Sequence, residues 1–114
     1  MDESVITRII AVARRAFDFV VVDTFPLLDS VSLAILDMSD RAYVVLNDSA
    51  PTVNGTAELL GVLDQVGVDR QRARVILNRT HKLRGPGVSA ADVATRLDRA
   101  IDFAVPYSLS LIHI

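Results

Sequence analysis

The stretch FDFVVVDTFP, residues 17–26, decides how the chain is read. Phe19-Val20-Val21-Val22 is an unbroken apolar run rich in β-branched side chains, the pattern of a strand buried on both faces. It runs straight into Asp23, and a buried carboxylate is costly unless a cation or a hydrogen-bond donor meets it. Two readings stand. Asp23 lies at the carboxyl edge of a parallel sheet facing a ligand, or it caps the following turn, as aspartate often does.

The flanking sequence supplies the rest of an alternating pattern. Before the run, Val5, Ile6, Ile9, Ile10, Ala13, Ala16 and Phe17 recur at helical spacing and predict an amphipathic helix over 3–17. After Pro26, LLDSVSLAILDMSD is helical to about Ser39-Asp40. RAYVVLND then gives a second strand, Ala42 to Leu46, closed by Asn47-Asp48-Ser49. TVNGTAELLGVLDQVG places Val53, Ala57, Leu60 and Leu63 on one helical face, with Gly67 as the stop. ARVILN, residues 73–78, is a third strand, followed by the polar loop RTHKLRGPG. Ser89-Ala90-Ala91-Asp92 opens another helix with a capping-box pattern in which Asp stands for Glu. IDFAVPY, residues 101–107, is the last strand. Helices alternating with short Val/Ile-rich strands predict an α/β fold, a doubly wound parallel sheet of about four strands with flanking helices.

Composition narrows the function classes. At 114 residues the chain suits one domain, and 51% hydrophobic residues argue for a packed core over disorder. A net charge of −2 gives no general pull toward nucleic acid or anionic lipid. With no cysteine, disulfides and thiolate metal sites are excluded. No apolar stretch approaches the roughly 20 residues that span a bilayer, and no signal-peptide pattern is present. The expected location is therefore cytoplasmic.

In open parallel sheets, ligands bind beyond the carboxyl ends of the strands. The strand ends here are Asp23-Thr24, Asn47-Asp48-Ser49, Asn78-Arg79-Thr80 and Pro106-Tyr107-Ser108, and parallel strands would bring them to one rim. An aspartate after four large apolar residues is the Walker B arrangement, whose carboxylate holds Mg²⁺ through water beside nucleotide phosphates. The partner motif G-x-x-x-x-G-K-[ST] is missing: the single lysine, Lys82, has no glycine at the required spacing, and Gly85-Pro86-Gly87 reads as a turn.

Together FDFVVVDTFP, LAILDMSDRAYVVLNDSAPTVNGTAELLGVLDQVG, ARVILNR and FAVPYS resemble the carboxyl-terminal half of the ParA/MinD-type deviant-Walker P-loop ATPases, in the flavour of the CpaE/TadZ pilus-assembly branch. The resemblance runs from about residue 5 to 108 and rests on the ordered set D-T-x-P, L-D-x-x-D-R, L-N-R, V-P-Y. It implies a Rossmann-like three-layer fragment over 1–108 without the Walker A strand. Residues 109–114 resemble translated adaptor sequence and receive no assignment, His113 included.

Carried over by residue, the resemblance implies that Asp23 is the Walker B carboxylate organising Mg²⁺ and that Thr24 is the adjoining switch position. Phe25 departs from the small residue often found there. Asn78 corresponds to the amide that reads the adenine edge, with Arg79 flanking it, and Pro106 and Tyr107 to the loop covering the base. The cofactors implied are ATP and Mg²⁺, neither held tightly by this chain, which is expected to hydrolyse no ATP without the phosphate-binding loop. The implied assembly is a homodimer in the intact family, with pilus-assembly or polar-localisation proteins as partners and recruitment to a pole or the inner membrane. Two rivals remain: a nucleotide-free interaction module, and a bacterial tyrosine-kinase relative sharing D-T-x-P.

Three further expectations concern the remaining residues. Without the Walker A strand, Phe19–Val22 is expected to pair directly with Tyr43–Leu46, leaving a chain prone to dimerise or aggregate. The basic run Arg70, Arg72, Arg74, Arg79, Lys82 and Arg84 reads as a solvated surface in preference to a DNA contact. His81 has no second ligand at metal-binding spacing.

Overall fold

The computed structural model describes residues 2–24, 28–79 and 89–106. The elements run in the order α1 (Glu3–Ala16), α2 (Ser30–Met38), β1 (Ala42–Asn47), α3 (Ala50–Gln65), β2 (Ala73–Asn78), α4 (Ala90–Leu97) and β3 (Phe103–Val105). The chain divides into two compact units, 1–41 and 42–114.

In the first unit, both helices begin on aspartate caps. Asp2 accepts from the Val5 N–H at 3.1 Å and the Ser4 hydroxyl at 2.7 Å, and Asp29 accepts from the Ser32 N–H at 2.8 Å. Each carboxylate also faces the positive end of its helix dipole. α1 ends where Phe17 turns extended, with φ −128° and ψ 148°. Arg14 in its last turn donates to the Met38 carbonyl and pairs with Asp40 at 3.5 Å, tying α1 to the end of α2. Ile35 is buried.

The second unit holds the sheet. β1 pairs with β2 in parallel over all six positions, Ala42↔Ala73 through Asn47↔Asn78. β2 pairs with β3 in parallel from Ile76↔Phe103 to Asn78↔Val105. With side chains alternating along each strand, Leu46, Ala73, Val75 and Leu77 form the buried face beneath Val53, Leu60 and Leu63 of α3 and Val93 and Leu97 of α4. The opposite face carries Tyr43, Val45 and Phe103, all exposed. Gly67 takes φ +91°, a left-handed conformation that glycine adopts freely, and the chain returns so that Val68 N donates to Leu63 O at 2.9 Å. Ser89 caps α4, accepting from Asp92 N at 3.2 Å.

One carboxylate extends the β2–β3 ladder where its strand pairing stops. Asp102 Oδ2 accepts from the Val75 N–H at 2.7 Å, while Asp102 N donates to Val75 O at 3.0 Å. The same carboxylate meets Arg74 at 3.5 Å.

Three sequence expectations differ from the structure. The described residues contain three strands in the order β1-β2-β3, not about four. Phe19–Val22 is neither a strand nor a partner of Tyr43–Leu46, since β1 pairs with β2 alone. An apolar run becomes a buried strand only when a neighbouring backbone accepts and donates its hydrogen bonds, and among the described residues this run has no such neighbour. The last strand is also shorter than 101–107 and stops before Pro106, whose ring leaves no N–H for a ladder.

Leu77→Ala removes a fully buried side chain from the middle of the sheet and is expected to destabilise the chain by about 2–5 kcal/mol. Val45→Ala on the open face should change stability by less than about 0.5 kcal/mol. Urea unfolding midpoints at unchanged slope measure the difference.

The caps also predict a pH response. The Ser4 hydroxyl and then the Val5 N–H hold the Asp2 carboxyl below its ordinary 3.8, and the Ser32 N–H and hydroxyl do the same for Asp29. A lowered folded-state pKa stabilises the fold above 3.8, and that contribution is lost as pH falls through the lowered value. Helical circular dichroism should therefore weaken on acidification below 3.8, and less in an Asp2→Asn, Asp29→Asn variant, whose amide caps do not titrate.

Candidate functional site

Parallel pairing brings the ends of β1, β2 and β3 to one border, because the register sets Asn47 beside Asn78 and Asn78 beside Val105. Each chain leaves that border differently. After β1, Asn47 Oδ1 accepts from Ser49 N at 3.0 Å, and the Ser49 hydroxyl lies 2.7 Å from Asn47 Oδ1 and 2.9 Å from Thr52 Oγ1. This Asx turn starts α3 and commits the Asn47 carbonyl to the backbone.

Between those residues Asp48 is fully buried. Its Oδ2 lies 3.9 Å from Arg79 Nε, and the Arg79 guanidinium is largely covered. Arg79 N also donates to Val105 O at 2.9 Å, so one residue joins the exits of all three strands. A fully buried carboxylate needs compensating charge or donors, and Arg79 supplies charge. Sequence reasoning treated Asp48 as an ordinary loop residue. Its only signal was the opposite charge at the equivalent step of the next strand, one residue after Asn47 and one after Asn78.

The rim therefore gathers some of the expected residues. Asn78 is exposed, Arg79 is anchored beside it, and Pro106 is exposed immediately after β3. Tyr107, Phe25 and Pro26 lie outside the described residues, as do His81, Lys82, Arg84 and the 109–114 tail. Asp23 and Thr24 are exposed in the first unit and belong to no helix or strand.

Three arginines of the basic run pair with acids inside the second unit. Arg70 meets Asp98 at 3.9 Å, Arg74 meets Asp102 at 3.5 Å and Arg79 meets Asp48 at 3.9 Å. Among the described residues no group of three His, Cys, Asp or Glu side chains could hold a metal ion. Mg²⁺ retains several waters and commonly uses one or two carboxylates together with substrate phosphates. Exposed Asp23 fits that outer role, and the described residues form no protein cage for the ion.

This parallel sheet with flanking helices has the fold of P-loop ATPases of the ParA/MinD type. Over 99% of its length the chain matches a ParA family ATPase from Chlorobium tepidum TLS, with TM-score 0.86 and 18% identity, covering 46% of that chain. It likewise matches a chain of the MinC:MinD cell division protein complex of Aquifex aeolicus, with TM-score 0.81, 19% identity and 48% coverage of that chain. The MinD cell division protein of Aquifex aeolicus gives TM-score 0.77, 20% identity and 49% coverage. The chain thus spans about half the length of the solved structures it matches. No family model and no curated protein matches it. Among the described residues no helix is long and apolar enough to cross a membrane.

Removing Arg79 should expose the energetics of the buried acid. Arg79→Met is expected to destabilise the chain by on the order of 1–3 kcal/mol, because the Asp48 carboxylate loses a compensating charge. Adding Asp48→Asn should recover part of the loss, and a double-mutant cycle of urea midpoints reads the coupling.

Proposed function

We propose that the chain is the base-binding half of a ParA/MinD-type ATPase domain, of the CpaE/TadZ pilus-assembly kind. The observation that carries this reading is the β2–β3 register, in which Asn78 stands opposite Val105 and so beside Pro106. An exposed amide offers a planar base both donors and an acceptor. In this reading Asn78 takes the adenine edge, Arg79 flanks it, and Pro106 and Tyr107 cover the ring. Asp23 is the Mg²⁺ carboxylate, acting through water, and Thr24 is the switch residue.

ATP with Mg²⁺ would supply the phosphate chemistry of the whole domain. This chain contributes recognition of the base and one metal-side carboxylate. Its sequence carries no G-x-x-x-x-G-K-[ST] loop to neutralise and orient the phosphates, so by itself it hydrolyses no ATP. The intact protein would dimerise in the cytoplasm and be recruited to a pole or the inner membrane by pilus-assembly or polar-localisation partners.

The second reading is a nucleotide-free interaction module. It is favoured by the exposed apolar side chains Phe19 and Val21.

Calorimetric titration of the full chain separates the two. The first reading expects weak binding of ATP·Mg²⁺ without turnover. Asn78→Ala should weaken that binding about tenfold, the worth of a lost base contact, while Asp23→Ala changes it little. Absence of binding to the unmutated chain supports the module instead. Metal-dependent turnover abolished by Asp23→Ala would overturn the inactivity.

A further inference from the structure

The residues that follow the three strands are joined through Arg79. The β1–β2 pairing ends at Asn47↔Asn78. The contact of Asp48 Oδ2 with Arg79 Nε, at 3.9 Å, carries the connection one residue further. Asp48 is fully buried and the Arg79 side chain is 27% exposed, so the pair is sheltered from the screening that weakens surface ion pairs. The Arg79 N–H, in turn, continues the β2–β3 ladder onto Val105 O at 2.9 Å. Asp48 is itself placed by its neighbours in sequence. The Ser49 N–H and hydroxyl meet Asn47 Oδ1 at 3.0 and 2.7 Å, and the turn they close runs directly into α3. Each of these contacts lies inside the second unit.

We infer, resting on the base-binding reading above, that Asp48 is a positioning residue for base recognition. Through the Arg79 guanidinium it holds the exits of β1 and β2 together, and so fixes where the Asn78 amide stands relative to Pro106. An amide reads a base edge only when its donor and acceptor are held within roughly 0.5 Å of productive geometry. Asn78 is the last residue of β2, where the ladder to β1 stops. The residue after it therefore sets the backbone from which the amide projects. That residue is a cation, which without an acid would be drawn toward solvent or toward a ligand's phosphates. The buried carboxylate one step past β1 keeps it turned toward the interior instead. A packed apolar pair could hold two strands as firmly, since burying a carboxylate is costly. What the ion pair adds is a fixed direction for the guanidinium.

The full chain is titrated with ATP·Mg²⁺ and with ITP·Mg²⁺, whose base lacks the exocyclic amino group of adenine. The ratio of the two dissociation constants is the readout. Both nucleotides carry the same triphosphate, so a change in folded fraction, or charge set free on Arg79, acts on both alike and cancels. The unmutated chain should prefer ATP about tenfold, the worth of one base contact. Asp48→Leu and Arg79→Met should each bring the ratio to within about twofold of one. Arg79→Lys, which keeps a cation facing Asp48, should retain a preference of about fivefold. Asn78→Ala should abolish the preference, and adding Asp48→Leu to it should change the ratio no further. A tenfold preference retained by both Asp48→Leu and Arg79→Met overturns the positioning role and leaves the base reading standing. Equal affinity for the two nucleotides, or no binding, in the unmutated chain overturns the base reading and the positioning role with it.

Discussion

The backbone groups of an extended chain are satisfied by a neighbouring chain or by water, and this constraint sorts every β-forming sequence in the molecule. β2 has neighbours on both sides and becomes the core, with Ala73, Val75 and Leu77 buried. β1 and β3 each have one strand neighbour and keep Tyr43, Val45, Phe103 and Val105 exposed. Among the described residues Phe19–Val22 has none, and it is the most open apolar stretch of them. Hydrophobicity does not explain that order, because Phe19-Val20-Val21-Val22 is at least as apolar as Val75-Ile76-Leu77. The number of pairing partners does.

The same distinction separates what could be read from sequence and what could not. α1 and α3 were legible because helical periodicity is local: seven apolar positions between Val5 and Phe17, and the face Val53-Ala57-Leu60-Leu63, need only their own turns. The stop at Gly67 was legible for a similar reason, since a left-handed residue after a helix is a local need met by glycine. β1 and β2 were placed within a residue. Phe19–Val22 was misread because strand status is a property of a pair. Asp102 gave no signal either: its carboxylate replaces a ladder acceptor for Val75, a role that appears only once β2 and β3 are aligned.

The rim was partly legible. Parallel strands place their polar ends together, which brought Asn78 and Pro106 to one border without knowledge of side-chain positions. What the sequence concealed was the division of labour among those ends. Asn47 is committed to the turn that starts α3, and Asp48 is withdrawn into the interior facing Arg79. Both look as available as Asn78 in a string of letters.

That division bears on what the border can recognise. A site for phosphate needs uncompensated positive charge or a cradle of backbone N–H groups. Here the Arg79 guanidinium faces a buried carboxylate, so the pair presents little net charge. The exposed polar group beside it is the Asn78 amide, which is neutral and planar and can both donate and accept. A neutral heteroaromatic edge suits such a group better than a polyanion does, because desolvating the amide against complementary base atoms leaves no unpaired charge behind. Charge compensation beneath the rim and a neutral amide upon it are therefore what the proposed recognition of a base would need, with phosphate chemistry left to residues of a different kind.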